Sequence, residues 1–194
     1  MTRPSSRERL YQAAVELIGE HGYTATSVDQ IAERAGVAKG TVYYNFASKA
    51  ALFESLLTDR VGALVARLDQ AVQDAHDPAT AVDSMILAGL EYVAANQSLA
   101  RLFLGQMWRR DAEWHPTAAR LRAQLLTTIA TPVEAGVRTG LLRPDLDART
   151  AATALFGACL LVALDWLENS PERSLAEVHQ SVVSLLGGRV LGTA

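Results

Sequence analysis

The sequence predicts an all-α chain of about nine helices, arranged as a small N-terminal head and a larger C-terminal body. Three observations carry that prediction. Apolar residues recur at helical spacing along nearly all of the 194 residues, and no stretch alternates convincingly with a period of two. Ala and Leu abound while aromatics make up only 6%, which favours helix over sheet. The punctuation is that of helix ends. Ser5 with Glu8, Ser27 with Gln30 and Ser174 with Glu177 have capping-box spacing, and Asp77-Pro78 sets a cap before a first-turn proline.

These marks place helices over roughly 5–21, 27–34, 38–45, 48–75, 78–95, 98–110, 116–139, 147–168 and 174–187. Residues 1–49 form the head and residues 50–194 the body. With 49% apolar residues the chain can bury a real core, and disorder is excluded. A net charge of −3 excludes a globally basic coat, so any contact with nucleic acid must be local. The single cysteine, Cys159, can form neither an internal disulfide nor a cysteine-based metal cage. Met1-Thr2-Arg3-Pro4-Ser5 leads into a polar amphipathic segment without a signal-peptide pattern. The most apolar run, Ala154 to Leu164, stops at Asp165 and is shorter than a bilayer requires. The expectation is a soluble, cytoplasmic protein without a membrane partner.

Within the head, Val28, Ile31, Ala32 and Ala35 form one apolar face over 27–34. Gly36 follows, a residue able to take the left-handed conformation that ends a helix, and Val37 can bury itself in the turn. A second short helix then points Val42 and Phe46 inward. Helix, glycine turn and helix in so few residues make a helix-turn-helix, whose second helix enters the major groove of DNA. Its leading residues are Lys39, Gly40 and Thr41. Lysine donates to guanine, threonine reaches a base or a thymine methyl, and glycine lets the backbone approach closely. Tyr43, Tyr44 and Asn45 carry donors suited to phosphate oxygens. Ser48 caps the next helix and Lys49 stands in its first turn, where N–H groups, helix dipole and ammonium converge on a phosphate. Lys39 and Lys49 are the only lysines in the chain, and they bracket this helix.

Thr26-Ser-Val-Asp-Gln-Ile-Ala, Ala35-Gly-Val-Ala-Lys-Gly-Thr-Val-Tyr43 and Phe46-Ala-Ser-Lys49 resemble the N-terminal domain of the tetracycline-repressor (TetR) family over roughly residues 7–57. The resemblance implies a homodimeric, all-helical repressor that leaves its operator when a small molecule binds the body. It implies that Ser27, Tyr43 and Lys49 hold phosphates while residues 39–41 read bases. Asn45 stands where a larger aromatic or a histidine is frequent, and Ala50-Ala51 replaces acidic residues. Those departures bear on the operator sequence rather than on the docking mode. Basic and acidic residues nearly balance in the head, so one head binds DNA weakly and pairing supplies the rest. A two-fold pair predicts a palindromic double-stranded operator.

The long fourth helix carries Lys49 at its start and Val61, Leu64, Val65 and Leu68 further on, which makes it the covalent lever of the chain. Large side chains gather in the middle of the sequence: Tyr92, Phe103, Met107, Trp108 and Trp114, with Phe156 and Trp166 from a later helix. Ligand sites are mostly apolar with a few oriented polar groups, which Asn96, Gln106, Arg109, His115, Gln124 and Thr128 can supply. The expected effector is a small, largely apolar molecule. Pro132 falls inside the seventh helix, where it removes one backbone bond and predicts a kink. In the eighth helix Ala154, Gly157 and Ala158 allow close approach beside Leu161. The ninth carries Val178, Val182 and Leu185 on a stripe, so two helices per subunit predict a four-helix dimer interface.

No catalytic function, cofactor or metal is expected. His21, His76, His115 and His179 are scattered, Cys159 lies in an apolar helix, and Gly187-Gly188 lacks the lysine of a phosphate loop. The alternative to a ligand-responsive regulator is a helix-turn-helix protein used for protein contact or DNA architecture without ligand sensing.

Overall fold

The computed structural model describes residues 4–106 and 113–190. Among them lie nine helices and no strand: α1 (Ser6–His21), α2 (Val28–Arg34), α3 (Lys39–Asn45), α4 (Lys49–Asp74), α5 (Pro78–Ala95), α6 (Gln97–Gln106), α7 (His115–Thr139), α8 (Ala148–Asn169) and α9 (Leu175–Val190). The helix ends follow the capping chemistry. Ser5 Oγ accepts from the Glu8 N–H, Ser27 and Gln30 form a reciprocal capping box, and Asp77 caps α5 ahead of Pro78. Ser174 and Glu177 do the same ahead of α9. Residues 107–110 of the expected sixth helix lie outside the described residues.

The chain divides into two compact units, and the first extends beyond residue 49. It comprises Met1–Arg60 with Ser98–Leu121. Its core is built from Leu10, Tyr11 and Ala14 of α1, Ile31 and Ala32 of α2, Val42 of α3, Phe46, and Leu52, Phe53, Leu56 and Leu57 of α4, all buried. Turns fix the short helices. Gly36 takes φ +62°, which costs glycine little, and Arg9 Nη1 donates to the carbonyls of Ala35 and Gly36 at 3.1 Å each. A guanidinium thus satisfies carbonyls that the end of α2 leaves without a helical donor. The start of α4 is tied to α1 in the same way. Arg7 Nη2 donates to Ser55 Oγ at 2.7 Å, the Tyr11 hydroxyl bonds Asp59 Oδ2 at 2.9 Å, and Arg60 pairs with Glu8.

The second unit comprises Val61–Gln97 and Arg122–Ala194, with α5 packed chiefly on α8 and α9. Met85, Ile86 and Leu90 of α5 are buried, as are Ala152, Leu155, Leu160 and Ala163 of α8 and Val178 and Val182 of α9. Gly89 of α5 faces α8: a Cβ there would stand 3.6 Å from Cys159, an ordinary contact distance. Helix α7 runs on through the buried Pro132, which removes the donor that would pair with the Thr128 carbonyl.

One expectation needs correction. Ala154 to Leu164 alone is too short for a bilayer, but the whole of α8 is long and apolar enough to cross one by length and composition. Only 28% of its qualifying stretch is buried in the subunit. The reason is its alanine- and leucine-rich composition, which leaves apolar side chains beyond the face that α5 and α9 cover.

Candidate DNA interface and effector region

Helix α3 is held from beneath and open above. Val42 and Phe46 anchor it, Phe46 meeting Tyr11 with ring centroids 6.0 Å apart. The opposite face carries the residues expected to meet DNA. Lys39, Gly40, Tyr43 and Asn45 are exposed, Thr41 is half-buried, and Tyr44 is 90% exposed. An aromatic side chain left so bare has no packing role in the subunit. Asn45 Nδ2 donates to the Thr41 carbonyl at 2.7 Å, which leaves its amide oxygen directed away from the helix backbone. Ser27 is exposed, and its Oγ accepts from the Gln30 N–H at 3.2 Å; the cap uses a lone pair and spares the hydroxyl proton.

The two lysines differ sharply in environment. Lys39 Nζ lies 2.5 Å from Asp29 Oδ2 of α2, and that carboxylate holds the lysine above its usual pKa. Lys49 is part-buried. Two of its three N–H donors go to the carbonyls of Tyr23 at 2.7 Å and Thr26 at 2.8 Å, and its ammonium lies 4.4 Å from the Tyr23 ring centroid. Burial pushes its pKa down, while the charge of Glu113 works the other way. Lys49 thus stands in the first turn of α4 as expected by position, with two of its donors already engaged within the subunit. The ammonium is drawn back to the chain entering α2, because a partly desolvated cation requires acceptors.

The residues expected around an effector divide between the two units. Tyr92, Phe156 and Thr128 of the second unit are half-buried, and Gln124 is exposed. Asn96 instead caps α5, its Nδ2 donating to the Tyr92 carbonyl at 2.9 Å. Trp166 Nε1 donates to the Arg173 carbonyl at 2.9 Å and closes the turn into α9. Phe103 and His115 are half-buried in the first unit. Met107, Trp108 and Arg109 lie outside the described residues, and the side chain of Gln106 is likewise not described.

Trp114 belongs to neither surface nor second unit. It is 1% exposed in the first unit, 5.0 Å from Phe53 and 6.0 Å from Tyr23 by ring centroids, with Tyr23 and Phe53 themselves 5.3 Å apart. Its Nε1 is buried and has no hydrogen-bond partner among the described residues. Sequence reasoning placed it with the effector because aromatics cluster nearby, and it missed Tyr23 altogether. The one available signal was an aromatic residue in the turn between α1 and α2.

The expected dimer face also separates into two sets. On α8, Ala154 is exposed, Gly157 and Ala158 are half-buried and Leu161 is 55% exposed; on α9, Leu185 is 72% exposed. Val178 and Val182 are 0% and 3% exposed and belong to the subunit's own core. A side chain with no surface in the single subunit adds none to an interface. Cys159 is an inert thiol: burial pushes it up to about 12.

Comparison with known proteins accords with this architecture. The family model described as bacterial regulatory proteins of the tetR family matches residues 10–56, and that of the tetracyclin repressor-like C-terminal domain matches residues 75–189. The fatty acid metabolism regulator protein of Bacillus subtilis is 27% identical over 181 residues, covering 92% of each chain. The transcriptional repressor KstR2 of Mycolicibacterium smegmatis is 25% identical, covering 95% of this chain and 90% of that protein. The crystal structure of the regulator FadR from Bacillus subtilis in complex with stearoyl-CoA superposes with a TM-score of 0.79 at 25% identity, covering 92% of this chain and 96% of that one. The chain is a DNA-binding transcriptional regulator and belongs to the TetR family.

Proposed function

We propose that this regulator represses its target by binding a palindromic operator as a homodimer, and releases it when a long-chain acyl thioester of coenzyme A occupies the second unit. The carrying observation is the bare upper face of α3, with Lys39, Gly40 and Thr41 leading and Tyr44 90% exposed. In this reading residues 39–41 read base edges in the major groove. Ser27, Tyr43, Tyr44 and Asn45 donate to phosphates. The remaining N–H of Lys49 takes another, and its charge stays near the backbone even while two donors serve Tyr23 and Thr26.

Two copies pair through Ala154, Gly157, Ala158 and Leu161 of α8 with Leu185 of α9. The apolar composition of α8 and the exposure of Leu161 on α8 and Leu185 on α9 support this face. Pairing sets recognition helices about 34–36 Å apart, or a multiple of that, on one side of the duplex. The effector class draws on the stearoyl-CoA complex of the related regulator. Tyr92, Thr128 and Phe156 of the second unit supply its apolar and polar contacts, and α4 transmits the response. A coupling of about 1–3 kcal/mol between effector and DNA suffices for release.

The test selects duplexes from a random pool with the full chain, then titrates the complex with acyl-CoAs of increasing length. Enrichment of a palindrome and release that strengthens about fourfold per added methylene, until the site is filled, is the expected result. A non-palindromic or unselective pool, or equal response to free coenzyme A, overturns the reading.

A further inference from the structure

We infer that Trp114 is a positioning residue for DNA binding: by bracing the Tyr23 ring it holds the Lys49 ammonium at the entrance to α2. The inference rests on the reading of Lys49 as a phosphate donor.

The geometry runs through one aromatic ring. Tyr23 lies in the turn between α1 and α2 and touches both partners. The Lys49 ammonium sits 4.4 Å from its centroid, and Trp114 meets it edge-on from 6.0 Å at an interplanar angle of 68°. Phe53 of α4 closes the group, 5.0 Å from Trp114 and 5.3 Å from Tyr23. The backbone carbonyl of Tyr23 accepts from Lys49 at 2.7 Å, so a shift of Tyr23 moves an acceptor and a π-face together. The second acceptor, the Thr26 carbonyl, immediately precedes Ser27, the N-cap of α2. Holding Lys49 thus also holds the capped end that carries another phosphate donor.

Trp114 is an unusual choice for mere filling. Its indole N–H is buried and unsatisfied, a cost that leucine or phenylalanine would avoid. What indole offers instead is breadth: it covers Phe53 and Tyr23 at once. Its neighbour Glu113 acts on the same lysine, since its charge favours the ammonium form. Two consecutive residues just ahead of α7 therefore bear on one cation beneath the DNA-reading helix.

The sequence supplies an unusually clean probe, because Lys39 and Lys49 are its only lysines. Full-length protein labelled with carbon-13 lysine gives two side-chain signals. Lys49, above a tyrosine ring, is displaced upfield by the ring current, and exposed Lys39 serves as the internal control. Trp114→Phe is expected to reduce the Lys49 displacement in part and Trp114→Leu to remove most of it, with Lys39 unmoved in both. In parallel, the salt dependence of binding to a mixed-sequence duplex should flatten by about one unit per head in Trp114→Leu, and by less in Trp114→Phe. Should Trp114→Leu not fold, Trp114→Phe decides alone. A Lys49 signal unchanged in Trp114→Phe overturns the inference, as does a moved signal with an unchanged salt slope. Failure of the wild-type chain to select an operator leaves the lysine signals untouched, and so bears on the proposed function instead.

Discussion

The Lys39 ammonium lies 2.5 Å from the Asp29 carboxylate, so the leading cation of the recognition helix is already paired with the helix beneath it. In the proposed reading DNA competes with Asp29 for that lysine, and a guanine edge offers two acceptors in return. Asp29→Asn is expected to raise affinity for mixed-sequence duplexes and steepen the salt dependence, because a negative charge beside the phosphates is gone. Lys39→Ala is expected to lose discrimination of about tenfold or more at one base pair of each half-site, with a smaller effect on mixed sequence. Binding of operator and mixed duplexes across salt concentrations separates the two. Equal loss on both duplexes for Lys39→Ala would make it a phosphate contact.

Lys49 holds two backbone carbonyls and, in the proposed reading, a phosphate, and one substitution removes both. Lys49→Met keeps the apolar stem but strands the carbonyls of Tyr23 and Thr26, which accept its hydrogen bonds at 2.7 and 2.8 Å. A stability loss of about 1–3 kcal/mol is expected in denaturant unfolding. Binding should weaken on all sequences alike, with the salt slope reduced by about one unit for each head. A lost slope without lost stability would mean that the carbonyl contacts contribute nothing.

The α8–α9 face yields a paired prediction. Leu161 is 55% exposed and Val182 only 3%. Leu161→Glu is expected to shift sedimentation from dimer to monomer while leaving subunit unfolding nearly unchanged at low concentration. Val182→Ala should do the reverse, costing about 1–3 kcal/mol through a cavity while the dimer persists. Exchange of those two outcomes would place the interface elsewhere.

Cys159 predicts a pH effect of known sign. Burial raises the folded thiol to about 12 from an ordinary 9.0. The folded state therefore holds a proton that the unfolded state releases, so this contribution is complete below about 9 and declines as pH rises toward 12. Between those values the wild-type chain should lose stability relative to Cys159→Ala, measured by denaturant titration at each pH. Iodoacetamide should label the thiol only after unfolding. Rapid labelling of the native chain at neutral pH contradicts the burial.

Helix boundaries were legible because capping is local: Ser27 and Gln30, three residues apart, need nothing beyond each other to start α2. The outward face of α3 was legible for a similar reason, since Val42 and Phe46 at a spacing of four leave Tyr43 and Tyr44 on the other side. Periodicity could not say which apolar stripe of α9 meets its own subunit and which meets a partner. Val178, Val182 and Leu185 read alike in sequence, yet α5 and α8 take the valines and leave the leucine bare.

The sequence by itself determined the helical order, the helix-turn-helix and the residues it presents, because these depend on contacts within a few residues of one another. Only the tertiary structure decided that Trp114 meets Tyr23, 91 positions away in the chain, and Phe53. Apolar attraction has no direction, so a buried aromatic residue declares that it has a partner but not which one; the packing of distant helices makes that choice.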